Sequence, residues 1–476
     1  MTFLTSLDGN GWRPPVVVPA TDGLMHEVSA LCAVPAGGIA LVSSSDGRFG
    51  NAAFFGPPQE KRRVRRAGAP PPCSRERAVH VDPAGNADLA VAFTGSLAAP
   101  DEMALTPVPE EAGHDPAPEM AAEARHIAAV RAYRTTVGGR EARILRGEFH
   151  RHTEISADGG GDGSLLDMWR YGLDLAALDW IGNGDHDNGA GREYSWWLTQ
   201  KTTDLFRVPG AFTPMFTYER SCNYPDGHRN VVFARRGVRT LPRLKGGAGT
   251  AMDQLPPEAD RPNSPDTQML YAYLRAFDGV CASHTSGTDM GTDWRDNDPR
   301  VEPVVEIYQG DRQNYERPDA PRANSAEHSI GGWRPLGFVS RALLKGYRLG
   351  FQSSSDHVST HMSYCCVLVE NASREAILDA LKRRHVYGAT DNIIADVRCG
   401  PHVMGDEFAV KEPPTLHVKL VGTAPFDRVV IVKDDAYVYS TTPKTETVEF
   451  SWTDTAVKPG VTSYYYVRGE QAGEEV

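Results

Sequence analysis

The run Leu145-Arg146-Gly147-Glu148-Phe149-His150-Arg151-His152-Thr153 decides how this chain is read. An apolar stretch ends there in a His-x-His pair. Strand residues two apart share a face, so both imidazoles point at one spot at the strand's exit. Neutral imidazole is a ligand for zinc, iron or manganese. Two polar residues at a strand end need no ligand, so the pair gains its meaning from what recurs downstream.

It recurs five times. Leu178–Gly182 leads into Gly184-Asp185-His186-Asp187, Thr213–Tyr218 into Glu219, and Gly279–Ser283 into His284. Pro303-Val304-Val305 leads into Glu306, and Arg348–Ser355 into Asp356-His357. Helical stretches lie between several of these runs. Ser164 is placed to cap Leu165–Tyr171, with Asp167 in the first turn and Gly172 as a stop. Pro265 and Asp266 open a segment with Met269, Leu270, Tyr273 and Phe277 at helical spacing. Strands alternating with helices predict an α/β fold with a parallel sheet, most simply a barrel. Polar residues at the C-terminal ends of barrel strands converge on one mouth, where such folds do chemistry. The set predicts a polynuclear metal site.

Family motifs coincide with these residues: His150-Arg151-His152-Thr153 with the turn Ala157-Asp158-Gly159, then Asp185-His186, Glu219, His284 and Asp356. On them, residues 143–400 resemble the polymerase and histidinol phosphatase (PHP) superfamily of metal-dependent hydrolases. Tyr218–Ser221, Asp226–Val231, Ser354–His357 and Tyr387–Asp391 are most similar to its branch of carbaryl-hydrolase-like metallohydrolases. The superfamily's closing motif reads Asp-x-His. Here Asp356 is followed directly by His357, with His361 further on, which leaves the choice of histidine open. The resemblance implies a PHP-type distorted (β/α)7 barrel. It also implies a metal set of His150, His152, Asp158, His186, Glu219, His284, Asp356 and His357, with Glu306 undecided.

The flanks read differently. Residues 1–105 carry short β-prone runs at 16–18, 39–42, 78–81 and 89–93, separated by Gly- and Pro-rich turns, and predict a β-rich domain. The basic cluster Lys61–Arg66 reads as a solvated loop, with RNA or membrane contact as the sharper alternative. Residues 106–142 form an acidic linker followed by strong helix formers from Glu119 to Tyr133. Residues 401–476 turn β-rich again, at 415–421, 428–432, 447–452 and 463–468, and predict a β-sandwich-like accessory domain.

Composition excludes some functions. With 50 Lys plus Arg against 62 Asp plus Glu, the net charge of −12 argues against a nucleic-acid surface. No apolar run spans a bilayer, and the first eight residues lack a basic segment followed by an apolar one. A cytoplasmic protein is expected. Seven scattered cysteines without a Cys-x-x-Cys pair exclude a thiolate zinc knuckle, and Cys281, Cys365 and Cys366 read as core residues.

The chemistry follows from clustered ligands. Two or three divalent ions (Zn, Mn or Fe) would lower the pKa of a bound water, whose hydroxide attacks the substrate. Glu219, whose two oxygens can each take one ion, and Asp356 are the catalytic carboxylates. Asp185 is read as orienting a histidine ring, and Asp187 as a proton-transfer group. Arg151, Arg220, Arg229 and Arg312, with His228, are read as substrate-binding, because guanidinium forks suit phosphate or carboxylate. For any one arginine taken alone, pairing with a nearby acid is the favoured reading. Trp196, Trp197, Tyr218 and Tyr224 would instead line an aryl pocket. The expected function is hydrolysis of a small-molecule phosphoester. The alternatives are a carbamate, carboxylic ester or amide hydrolase, and a non-catalytic binding protein on the same scaffold.

Overall fold

The computed structural model describes residues 3–4, 7–8, 11–12, 16–17, 30–34, 38–45, 88–93, 117–156, 158–187, 193–244, 262–310, 313–329, 331–357 and 362–473. The chain divides into two compact units, Met1–Asp115 and Pro116–Val476.

The first unit holds short antiparallel strands. β1 (Phe3–Leu4) pairs with β4 (Val16–Val17), and β2 (Leu7–Asp8) with β3 (Gly11–Trp12). β5 (Ala30–Val34), β6 (Gly38–Ser45) and β7 (Asp88–Phe93) form a three-stranded sheet. The runs expected at 16–18, 39–42 and 89–93 fall on β4, β6 and β7. The run at 78–81 and the basic cluster 61–66 lie outside the described residues.

The second unit opens with the helix Pro118–Ala132, whose first position takes proline because it needs no N–H there. Ten strands follow: β8 (Arg134–Val137), β9 (Arg140–Arg151), β10 (Trp180–Asn183), β11 (Thr213–Ser221), β12 (His228–Phe233), β13 (Val280–Ser283), β14 (Val304–Gln309), β15 (Gly350–Ser354), β16 (Tyr364–Val369) and β17 (Val386–Ala389). They form one sheet ordered β15-β14-β13-β12-β11-β10-β9-β16-β17, with β8 on β9. All six strand ends singled out in the sequence belong to it.

The sheet is an α/β barrel-like one, as expected, but it is mixed. β9, β10 and β11 run parallel, as do β13, β14 and β15, whereas β12 is antiparallel to both neighbours and β16 antiparallel to β9. The regular alternation expected of a (β/α)7 barrel is therefore interrupted. Only residues 222–227 separate β11 from β12, too short a link for the crossover that parallel strands need.

The sheet curls until the end of β15 comes back to β9. A parallel bridge joins Arg151 to Asp356, the His152 amide donates to the Asp356 carbonyl at 3.1 Å, and the Ser355 amide and hydroxyl both donate to Glu148 Oε2, at 2.8 and 2.6 Å. Strand alternation sorts the apolar residues. Leu145, Phe149, Met215, Val232, Ala282 and Val304 fill the interior. Phe216, Tyr218 and Val231 pack outward against Leu270 and Leu274 of the helix Pro265–Phe277. Ser164 and Asp167 form a capping box that starts the helix Leu165–Arg170.

The remaining strands make two further sheets. One is ordered β19-β18-β20-β23: β18 (Ile394–Cys399), β19 (His402–Val403), β20 (Thr415–Val421) and β23 (Thr447–Thr453). The other is ordered β22-β21-β24: β21 (Phe426–Lys433), β22 (Ala436–Thr441) and β24 (Tyr465–Gln471). Val418, Leu420, Phe426, Val429 and Val448 form their shared core. No described helix is long and apolar enough to cross a membrane.

Candidate metal centre

Each ligand candidate reaches the barrel mouth by a local device. Leu145 and Phe149 face the interior, so strict alternation would turn His150 and His152 away from it. A register shift between β9 and β10 at Ile181/Asn183 reverses the phase, as a bulge does, and both imidazoles face inward. Gly184 makes room: a Cβ there would sit 2.6 Å from the His150 backbone. Asp185 and His186 follow. Glu219 and His228 come from the two arms of the β11–β12 hairpin, in which Ser221 pairs with His228.

The result is a knot of six imidazoles and four carboxylates in overlapping sets, buried except at Asp158, His186 and His357 on its rim. These are His150/His152/Glu219, His150/His284/Glu306, His152/Asp356/His357, His152/Asp158/His186 and His186/Glu219/His228. Glu219 sits at its centre. Its Oε1 lies 2.5 Å from His228 Nδ1 and 3.1 Å from His284 Nε2. Its Oε2 lies 3.0 Å from His186 Nδ1, 3.3 Å from His152 Nε2 and 3.8 Å from His150 Nε2. Asp356 Oδ1 is 3.1 Å from His152 Nε2, 3.3 Å from His357 Nε2 and 3.6 Å from His150 Nε2. Asp158 Oδ2 is 2.8 Å from His186 Nε2.

A second ring of groups fixes the histidines. Both oxygens of Glu306 lie 3.1 Å from His150 Nδ1. Ser156 Oγ is 2.9 Å from His152 Nδ1, Thr285 Oγ1 is 3.0 Å from His284 Nδ1, and Ser221 Oγ contacts His186 Nδ1. With the Nδ1 atoms of His150, His152 and His284 so engaged, their Nε2 atoms face the centre.

The residues fit metal ions. His150 Nε2, His284 Nε2 and both oxygens of Glu219 converge in buried space, close to one another yet without a well-aligned hydrogen bond. Leaving such atoms unsatisfied costs about 1–3 kcal/mol each, an expense that ligation removes. Imidazole and carboxylate together are the donor set of zinc, iron and manganese.

Electrostatics in the metal-free protein point the same way. Burial opposes protonation of His152, but Asp356 and Glu219 outweigh it and push the ring up to about 9. His186 is likewise pushed up to about 10 by Glu219 and Asp158 against the effect of burial. Burial and the neighbouring His150 charge push His284 down to about 4. Burial would raise Glu219, yet the surrounding imidazoles hold it well below the carboxylate range. Protons here stand where cations belong.

All eight residues expected as ligands meet in this knot. His228, read as a substrate group, and Glu306, left undecided, join them. The place of His228 was legible only through pairing, since the β11–β12 hairpin brings it beside Glu219. Asp185 does not orient a histidine ring. It accepts from the Thr153 backbone amide at 2.7 Å, the Thr153 hydroxyl at 2.6 Å, Asn183 Nδ2 at 2.6 Å and the Ser156 backbone amide at 3.2 Å, so it shapes the loop after His152.

The arginines are used inside the protein. Arg151 pairs with Asp162 at 3.1 Å, Arg220 with Asp266 at 2.7 Å and Arg229 with Glu302 at 2.9 Å, and all six side chains are buried. Pairing with nearby acids, rather than an open anion clamp, is their arrangement here. Asp187 lies 3.3 Å from Arg243 Nε and 3.9 Å from Arg220 Nη1. Trp196 and Tyr218 pack edge to face in the outer core, Trp197 stacks on Tyr194, and Tyr224 lies under Arg334, so these four rings do not form one pocket. Arg312 and His361 lie outside the described residues.

No family model matches the chain, and no curated protein matches it. Among solved structures it is similar to a two-domain protein from Bacteroides vulgatus containing a predicted PHP-like metal-dependent phosphoesterase. The likeness is 14% identity over 67% of this chain and 88% of that one, with a TM-score of 0.35. At that distance it adds nothing to the argument from geometry.

Proposed function

We propose that the chain is a metal-dependent hydrolase of small-molecule phosphoesters that uses a metal-activated water. The observation that carries this reading is the convergence of six imidazoles and four carboxylates in overlapping sets, two of which contain Glu219. Divalent ions held by such sets supply an activated water and polarise the substrate's oxygen. Glu219, with each oxygen facing different histidines, would hold ions through both oxygens. Asp356 joins His150, His152 and His357. Glu306, Ser156 and Thr285 orient rings. Asp187, on the chain beside His186, is the candidate for moving a proton.

Charge separates the substrate classes. Two divalent ions would cancel Asp158, Glu219, Glu306 and Asp356, the four carboxylates of the knot, whereas three would leave a cationic centre suited to a phosphate dianion. A second reading, hydrolysis of a neutral carbamate, ester or amide, is favoured by the pairing of Arg151, Arg220 and Arg229 with internal acids. It agrees with the carbaryl-hydrolase-like motifs.

Elemental mass spectrometry, with assays on p-nitrophenyl phosphate and p-nitrophenyl acetate, tests these readings. Three ions and phosphate cleavage are expected. Two ions with acetate cleavage alone would move the assignment to the neutral substrates. Ions with no hydrolysis of any kind would favour a binding protein on this scaffold.

A further inference from the structure

We propose that Asp162 is a positioning residue that governs occupancy of one ion site, the one formed by His152, Asp356 and His357. The assignment rests on the hydrolase reading, in that the knot must hold ions.

His357 is bracketed by two aspartates from one turn. Asp162 Oδ2 lies 2.7 Å from His357 Nδ1, while Asp158 Oδ2 lies 3.8 Å from Nε2 on the opposite side of the ring. The intervening residues are Gly159, Gly160 and Gly161. A Cβ at Gly159 would stand 1.9 Å from the Thr153 carbonyl, so only glycine lets the turn fold back this closely. The two carboxylates then meet different environments. The Asp158 side chain is 48% exposed, and that of Asp162 is 2% exposed.

Asp162 is itself held. Its Oδ1 accepts from Arg151 Nη1 at 3.1 Å, and its carbonyl accepts from Arg151 Nη2 at 3.3 Å. A charged carboxylate can only accept, so it fixes the His357 proton on Nδ1 and leaves Nε2 as the lone-pair nitrogen. That atom is 3.3 Å from Asp356 Oδ1. His152 and His284, by contrast, are backed by hydroxyls, which donate or accept equally well, and both rings are gripped by burial. His357 is at the rim, 16% exposed, with its ring stacked on His152 at 4.1 Å between centroids. Arg151 thus serves the site through Asp162 and His357.

The test uses the full chain, stripped by chelation and titrated with zinc alone. Ions per chain are counted by elemental mass spectrometry, and cobalt substitution reports ligand geometry by absorption. Asp162→Ala is expected to hold one ion fewer than wild type while the others stay. Asp162→Asn keeps an acceptor for the Nδ1 proton and is expected to retain the ion with about 10–100-fold weaker affinity. A folded Asp162→Ala chain that binds the wild-type number of ions with unchanged affinity overturns the assignment, as does one that loses every ion at once. Should Asp162→Ala fail to fold, the Asn variant decides, and wild-type affinity there overturns it. A wild-type chain that takes up no zinc defeats the hydrolase reading as well, which sets that result apart from variants that merely match wild type.

Discussion

Asp356 and His357 are neighbours in sequence, yet their side chains meet, Oδ1 to Nε2, at 3.3 Å. In an extended strand they would point apart. Asp356 has a φ of 65°, in the left-handed region, and this turn at the end of β15 swings both groups onto one spot. A contiguous Asp-His thereby does what an Asp-x-His spacing does on a straight strand.

That conformation has a measurable cost. Asp and Asn tolerate it, whereas alanine carries a penalty of about 1–2 kcal/mol. Metal-free Asp356→Ala should therefore be less stable to urea than Asp356→Asn by about 1 kcal/mol. Equal midpoints would show that the backbone there is unstrained. In the same preparation His357→Ala should lose an ion and His361→Ala should not, and the reverse would overturn the choice of His357.

Glu219 touches five histidines, so its loss should be felt at more than one ion. Glu219→Ala is expected to lower both ion count and activity. The loss of activity should exceed the roughly 10–100-fold typical of a group that only supports a ligand. An active variant with a full ion complement would remove Glu219 from the role of holding ions.

Metal binding should release protons. His152 and His186, at about 9 and about 10, stand above the roughly 6.5 of a free imidazole, so the metal-free protein holds both protonated at pH 7. Ligands must be neutral, so apparent affinity should rise with pH until about 10. Without metal, the same pairs stabilise the fold fully below about pH 6.5 and lose that contribution as pH climbs through 9 to 10. Calorimetry in two buffers of different ionisation enthalpy reads the release directly. Identical heats in both would contradict it.

The arginine pairs make a separate forecast. Arg229→Met leaves Glu302 buried without its partner, and such a change costs about 3–5 kcal/mol. A large fall in melting temperature is expected, with ion count per folded chain preserved. A stable variant with a raised KM for phosphate would restore Arg229 as a substrate group.

The sequence carried the site further than the fold. His150, Glu219, His284 and Asp356 were legible because each closes an apolar run, and strand ends are readable from pattern alone. The reversal at β12 was not, because Arg229-Asn230-Val231-Val232 has the same composition whichever way the strand runs. Only the short 222–227 link carried that information. Glu148 and Asp162 were missed for another reason: their partners, Ser355 and His357, lie 207 and 195 residues away. Arg151, Arg220 and Arg229 were over-read, since a guanidinium beside a motif says nothing about which acid will face it.

At the junction of β9 with the end of β15, one backbone bridge and the Glu148–Ser355 bonds tie the two strands together. His152 stands on one side of that seam, and Asp356 and His357 on the other. An ion held between them would act as a clasp on the barrel, and stripping it would let the sheet begin to open along this line. Hydrogen exchange on metal removal should then quicken first at His152 and Asp356, so that the catalytic inventory and the mechanical integrity of the fold are stored in the same few bonds.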